Sequence, residues 1–127
     1  MDIIEEPVNK IANNEKKPKI TDPRILKARG GDPNDPDGNR RPTDPVGLSR
    51  SILHVLKEHD YVKMLSVGPT ALNVTMNAFR LASREVESLT NGSVLVNRQS
   101  EYYAEINGKR TKGVCTRIFA IDIKSAL

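Results

Sequence analysis

Two kinds of apolar pattern divide this chain into predicted strands and helices. Four stretches are typical of strands, because their apolar residues alternate or run together between turn signals: Arg24–Arg29, Tyr61–Val67, Val94–Ile106 and Val114–Ile123. Two longer stretches show apolar residues at helical spacing, from Pro45 to about Asp60 and from Pro69 to about Ser88. The order is βαβαββ. Right-handed crossovers then place both helices on one face of a mixed four-stranded sheet, so the predicted fold is a two-layer α/β sandwich.

Turn and capping residues support these boundaries. Asp44 is a good N-cap ahead of Pro45, and Pro69 suits the first position of the second helix, where its missing N–H costs nothing. Asn107-Gly108 is the strongest short signal for a tight β-hairpin. The apolar alternation of the third strand breaks at residues 98–100, which predicts a β-bulge there.

The chain divides into an arm and one domain. Residues 1–23 are polar, charged and interrupted by prolines, which predicts a flexible N-terminal arm ahead of a domain at 24–127. An alternative is that apolar residues of the arm dock on a partner or a sister subunit. Residues 30–43 form a predicted loop rich in glycine, proline and aspartate, and loops of this length are commonly functional or disordered.

Composition limits the classes of function only weakly. The net charge is +4, and residues 25–127 carry all of the excess, because residues 1–24 hold five basic and five acidic groups. A mildly basic domain is compatible with nucleic acid, an acidic protein partner or neither. Cys115, the lone cysteine, lies in an apolar strand and is expected to be buried and inert. No apolar run approaches the ~20 residues of a membrane span and no signal peptide is recognisable, so we predict a cytoplasmic protein.

A polar stripe on the second helix is the first candidate binding feature. It comprises Asn73, Asn77, Arg80 and Arg84, which recur at steps of four, three and four and therefore share the face opposite the apolar one. Such a stripe, downstream of a helix start with free N–H groups, suits a polyanion. On charge pattern alone, an ordinary solvated helix face is the better explanation.

The residues around this helix start resemble a known family. Val67-Gly68-Pro69-Thr70-Ala71-Leu72-Asn73, followed by Asn77-Ala78 and Leu81-Ala82, is similar to the central motif of the stage V sporulation protein S family. That family is related to the Alba superfamily of DNA- and RNA-binding proteins. The resemblance extends as a pattern over about residues 24–123. It implies the same Alba-like fold, a homodimer or higher homo-oligomer, and nucleic acid as the partner.

This chain departs from the family pattern at three positions. Thr70 replaces a second glycine, Asn77 replaces a lysine, and Ser83 stands where an arginine is expected. Arg80 and Arg84, on neighbouring turns, are the expected substitutes for the displaced positive charge. Ligand preference is therefore expected to differ from that of the family.

Position in the resembled fold adds further candidate contacts. The hairpin implied to reach along nucleic acid carries Lys109, Arg110 and Lys112, and the long loop and the strand before it carry Lys27, Arg29, Arg40 and Arg41. Tyr102 and Tyr103 point to opposite faces of the third strand. Packing is the simpler role for both, and stacking on a base of a single strand is the alternative for one of them.

No catalytic or metal-binding constellation is recognisable in the sequence. His54 and His59 have no Cys, Asp or Glu partner at ligand or triad spacing, and the aspartates of the long loop do not match a calcium loop because a proline would occupy the first ligand position. We therefore predict a non-enzyme without metal or cofactor. The predicted function is weakly sequence-specific, backbone-directed binding of DNA or RNA by a dimer. The alternative is a protein-interaction or assembly module that uses the arm, which the acidic stretch 32–37 favours because it would repel phosphates.

Overall fold

The computed structural model describes residues 22–31 and 41–122 of the chain, and these form one mixed sheet and two helices. The elements are β1 Ile25–Ala28, α1 Pro45–Glu58, β2 Val62–Ser66, α2 Pro69–Leu89, β3 Ser93–Ile106 and β4 Lys109–Asp122. The strand order is β1-β2-β4-β3, with β1 parallel to β2 and β4 antiparallel to both of its neighbours. This confirms the predicted βαβαββ sandwich. The predictions for residues 1–21, 32–40 and 123–127, including the last residue of the fourth predicted strand, lie outside the described residues.

Both helices pack on the same side of the sheet. The core between the two layers centres on Ile52 of α1, Val62 and Met64 of β2, and Ile118 of β4, all of which are 0% exposed. Ala78 and Ala82 lie on the buried side of α2, where their small side chains allow close packing of that helix in the core. The core is therefore aliphatic, as the composition requires, and the opposite side of the sheet is left without a helix in the described part of the chain.

The two helices begin as their sequences predict. The carboxylate of Asp44 accepts hydrogen bonds from the backbone N–H groups of Val46 and Gly47, at 3.2 and 3.3 Å, and Pro45 opens α1. Helix α2 opens at Pro69 after Gly68, whose φ of +90° is a conformation that side-chain-bearing residues rarely adopt. Gly68 offers no side-chain cap, so the start of α2 depends on backbone geometry alone.

The β3–β4 hairpin is longer and more regular than predicted. Asn107 and Gly108 both have positive φ, 53° and 77°, as a two-residue type I′ turn requires. Pairing runs without interruption from Ser93↔Asp122 to Ile106↔Lys109, so the prediction of a bulge at residues 98–100 is wrong. The apolar alternation fails there because those three residues are all exposed, not because a residue is inserted. For the same reason β4 begins at Lys109 instead of 114, since the exposed end of a hairpin needs no apolar residues.

Two hydroxyl groups are buried in the core without a hydrogen-bond partner among the described residues. Thr75 of α2 and Thr116 of β4 are both 0% exposed, and neither Oγ1 atom is paired. A buried hydroxyl that has lost water and gained no partner costs free energy.

Replacing one of these threonines with its apolar near-isostere should therefore stabilise the fold. We expect Thr116→Val to raise the free energy of unfolding by about 1 kcal/mol, or the melting temperature by about 4 °C, because the desolvation cost disappears. Ile118→Ala, two residues away on the same side of β4, should lower it by about 2–5 kcal/mol through cavity formation. Thermal and urea unfolding measure both, and a clear loss of stability in Thr116→Val would show that the hydroxyl is satisfied.

Candidate nucleic-acid interface

The predicted stripe of α2 lies on the surface that faces away from the sheet. The buried residues of this helix are Ala71, Val74, Thr75, Ala78 and Ala82, on the opposite side of the helical wheel. Asn73, Arg80 and Arg84 are exposed and Asn77 is half-buried. Arg80 donates a hydrogen bond to the side-chain carbonyl of Asn77, so part of the stripe is paired within itself. Glu85 and Glu87 are also exposed on α2, which balances the two arginines.

The start of α2 is less open to a phosphate than its sequence indicates. A Cβ atom added to Gly30 would lie 2.9 Å from Thr70 Cβ and 3.0 Å from the backbone nitrogen of Ala71. The end of β1 therefore packs directly against the first turn of the helix, and Ala71 is only 2% exposed. An anion would have to approach the remaining N–H groups from the other side.

The predicted basic residues of the hairpin are largely balanced by neighbouring acids. Lys112 Nζ lies 3.5 Å from Glu101 Oε2, and both side chains are exposed. The Arg110 guanidinium lies 4.1 Å from the centre of the Tyr103 ring, and its cross-strand neighbour is Glu105. All of these residues project on the helix side of the sheet, while Lys109 projects on the other.

The side of the sheet without helices, which we name the open face, segregates positive charge. Because paired residues share a face and the face alternates along each strand, the register assigns every strand residue to one side. The acids of the strands, Glu101, Glu105 and Asp122, all lie on the helix side. The strand residues of the open face include no acid and five basic residues: Lys27, Lys63, Arg98, Lys109 and Arg117.

Three of these cations stand side by side across the middle of the open face. Lys63 of β2 pairs with Arg117 of β4, which in turn pairs with Arg98 of β3, and we name this set the cation row. Neighbouring strands are about 4.8 Å apart, and like charges directly opposite one another are destabilising. None of the three forms an ion pair within residues 22–31 and 41–122. A bound anion would relieve their mutual repulsion.

An aromatic ring partly accommodates this charge. The centre of the Tyr61 ring lies 3.9 Å from the Arg117 guanidinium, 5.0 Å from that of Arg24 and 5.8 Å from Lys63 Nζ. Cation–π attraction offsets some of the repulsion but neutralises none of the charge. Beside it, Arg98, Arg117 and Tyr61 line a cavity of about 320 Å³ together with Asp60 and Phe119. The N–H donors of these guanidinium groups have no hydrogen-bond partner among the described residues, and such donors suit phosphate oxygens.

The two ends of the long loop meet beside the end of β1. The backbone N–H of Arg29 donates to Thr43 Oγ1 at 2.8 Å, and the N–H of Thr43 donates to the Arg29 carbonyl at 2.9 Å. This brings Arg41, which is exposed, to the same end of the sheet as Lys27 and Arg29. Arg40 lies outside the described residues.

Sequence reasoning missed the cation row and Arg24. The Arg98–Arg117 pair was within reach of the sequence, because counting back from the Asn107-Gly108 turn sets one residue opposite the other. The position of Lys63 beside Arg117 could not be predicted in this way, since the pairing of β2 with β4 is a non-local contact that no local sequence pattern indicates. Cys115, which was expected to be buried, is half-buried, because it lies on the open face where no helix covers it.

The described residues show neither a metal-binding cluster nor a membrane-spanning helix. Residues 22–31 and 41–122 contain no group of three or more His, Cys, Asp or Glu side chains placed to hold a metal ion. In the same residues, neither helix combines the length and apolar character needed to cross a bilayer.

Comparisons with known proteins assign no family. No protein-family model matches the chain, and no curated protein matches it either. Functional inference therefore depends on the charge, burial and geometry described above.

An ion pair at the edge of the cation row provides a spectroscopic test of this geometry. Arg24 binds the Asp22 carboxylate through two side-chain nitrogens, each at 2.9 Å, and these hydrogen bonds lower the pKa of Asp22 from 3.8 to about 2. The charge of Lys63 lowers it further.

We expect the side-chain carboxyl carbon of Asp22 to titrate near pH 2 by NMR. Because the folded-state pKa is the lower one, the stabilisation from this pair is present above about pH 4 and is lost as the pH falls towards 2. Arg24→Gln should return the pKa towards 3.8. A normal pKa in the parent protein would contradict the observed pairing.

Proposed function

We propose that this protein binds nucleic acid in the cytoplasm, chiefly through the phosphate backbone and with little sequence preference. The observation that carries the proposal is the charge segregation of the sheet, which places five basic residues and no acid on the strands of the open face. A polyanion with regularly spaced charges is the ligand class that such a surface recognises. In this proposal the cation row forms the main phosphate contact.

The residues predicted from the sequence take supporting roles in this proposal. Lys27 and Lys109 belong to the open face, and Arg29 and Arg41 lie at the end of the sheet beside Lys27. The α2 stripe and Arg110 and Lys112 are further candidate contacts, with weaker support because nearby acids balance their charge. The resemblance to the stage V sporulation protein S family and the Alba superfamily supports the same ligand class and a homodimer.

A titration against DNA and RNA, single- and double-stranded, tests the proposal directly. Affinity should fall steeply as salt rises from low to physiological concentration, because phosphate neutralisation releases counterions. Filter binding or fluorescence anisotropy of labelled oligonucleotides measures it. Affinity that is insensitive to salt, or no binding at low salt, would refute backbone-directed binding.

Paired charge-removing variants locate the phosphate surface. Lys63→Gln/Arg117→Gln and Arg80→Gln/Arg84→Gln each remove two positive charges, so any effect of net charge is matched between them. The first should weaken binding of every sequence and reduce the salt slope by about 1.4 on single strands or about 1.8 on duplex DNA, since each phosphate contact contributes about 0.7 or 0.9. The second should have the smaller effect.

The stability of both double variants should change by less than about 1 kcal/mol, because these charges are solvent-accessible. Thermal unfolding provides that control. A larger affinity loss in the Arg80/Arg84 variant would assign the main phosphate contact to α2.

An assembly module remains the second candidate, and apolar exposure on the open face favours it. Ile25 and Ile106 are 37% and 43% exposed on this face, where no helix of the described residues covers them. This alternative predicts association without nucleic acid. Sedimentation of the full chain and of a chain lacking residues 1–22 tests it, and an assembly lost only in the shortened chain would assign a subunit contact to the arm.

A further inference from the structure

A concave, mostly apolar cavity lies at one end of the open face, between the ends of β1 and β2 and the hairpin end of β3. Its volume is about 340 Å³, near the lower limit for sites that bind small organic groups. The apolar lining residues come from the end of β1, from β2 and its end, and from β3: Ala28, Leu65, Val67, Tyr102, Ala104 and Ile106. Lys27 and Arg29 border it on the β1 side, and Glu105 is its one acidic lining residue. The cavity thus combines an apolar floor with two flanking cations.

The ring of Tyr102 lies against the backbone of Gly113 beside this cavity. Tyr102 pairs directly with Gly113 of β4, and a Cβ added to Gly113 would lie 2.6 Å from Tyr102 Cε1 and 2.8 Å from Cζ. The ring therefore occupies the space that any other side chain at position 113 would need. Gly113 is buried beneath it while Tyr102 is half-exposed, so one side of the ring packs on the sheet and the ring also lines the cavity. Desolvation raises the pKa of Tyr102, which agrees with this packing.

A partly exposed aromatic ring held against a sheet beside cations is suited to stack with a nucleobase. Base–aromatic stacking tolerates any sequence because every base has a π-face, and surface aromatics on four-stranded sheets bind single strands in this way. The bases of a duplex are stacked inside it, and placing one of them in the cavity would cost the free energy of unpairing and unstacking it. Tyr103, on the other side of β3, lacks these features, since it is 52% exposed and stacks on Arg110.

The cavity and the cation row are close enough for one strand to use both. Gly113 and Arg117 are four residues apart on β4, or about 13 Å at 3.3 Å per residue, which a strand of a few nucleotides spans. Resting on the proposed nucleic-acid binding, we infer that a single strand lies along the open face, with a base stacked on Tyr102 in the cavity and its phosphates on Lys27, Arg29 and the cation row. The protein then prefers single-stranded to double-stranded nucleic acid.

Variants at Tyr102, with Tyr103 as the matched control, test this inference in the full chain. The probes are a labelled single-stranded oligonucleotide and the duplex that it forms with its complement. Tyr102→Leu should weaken binding of the single strand about 5- to 150-fold, the equivalent of one lost stacking contact, and leave binding of the duplex unchanged. Tyr102→Phe, which keeps the ring, should bind like the parent. Tyr103→Leu should change neither affinity appreciably.

A second variant keeps the inference falsifiable if Tyr102→Leu folds poorly. Ala104→Met fills the cavity from β3 without touching the Tyr102 ring chemistry, and it should weaken single-strand binding in the same selective way. Thermal unfolding of each variant separates loss of binding from loss of structure.

Each contrary result has a definite meaning. If the parent binds both probes with a strong salt dependence but Tyr102→Leu and Ala104→Met bind them unchanged, the stacking inference fails and the proposed function stands. If the parent binds neither probe at low salt, both fail. If either variant instead changes the sedimentation of the protein without nucleic acid, the cavity is an interface between copies of this chain, which also overturns the inference.

Discussion

The two-residue turn at Asn107-Gly108 is the constraint on which the placement of β3 in the sheet depends. Both residues adopt positive φ, and this geometry fixes the register of fourteen consecutive pairs between β3 and β4. Because the side-chain period of a strand is two, a slip of one residue would move every side chain of one strand to the other face. In β3, Arg98 and Tyr102 would then move from the open face to the helix side, and Leu95 would lose its place in the core. The turn therefore decides on which side of the sheet β3 places its apolar and its basic residues, while the orientation of Arg117 and Ile118 also depends on the pairing of β4 with β2.

The core and the charge segregation reinforce the same register. Ile118 and Thr116 point to the helices, and the intervening Arg117 must then face away from them. This alternation sets positions 63, 117 and 98 side by side on the open face, but it does not require a cation at any of them. Like charges directly opposite one another on neighbouring strands are destabilising. Partial relief comes from the Tyr61 ring, which has three cations within 5.8 Å.

Local sequence patterns point to α2 and the hairpin as anion-binding surfaces, whereas the distribution of charge in the structure points to the open face. A stripe of Asn and Arg on α2 is conspicuous along the chain, yet Arg80 is hydrogen-bonded to Asn77 and the exposed helix also carries acids. The hairpin is likewise basic in sequence, but Lys112 meets Glu101 across the strands. Local density of basic residues is thus a poor guide where a second strand brings acids to the same face. On the open face, by contrast, the cations are far apart in sequence, and strand pairing brings them together without bringing a strand acid to the same face.

The sequence by itself determined the order and type of the six elements, both helix starts and the hairpin turn. These depend on interactions within a few residues, such as the Asp44 cap, the positive φ of Gly68 and the Asn107-Gly108 turn, which local residue types specify. The prediction of a β-bulge at residues 98–100 was wrong, because three consecutive exposed residues interrupt the apolar alternation as a bulge would. Only the tertiary structure decided that β4 enters the sheet beside β2, since that contact joins segments about fifty residues apart and depends on burial of the whole core. That pairing places Lys63 beside Arg117, and so the surface most suited to a polyanion follows from packing and not from any motif along the chain.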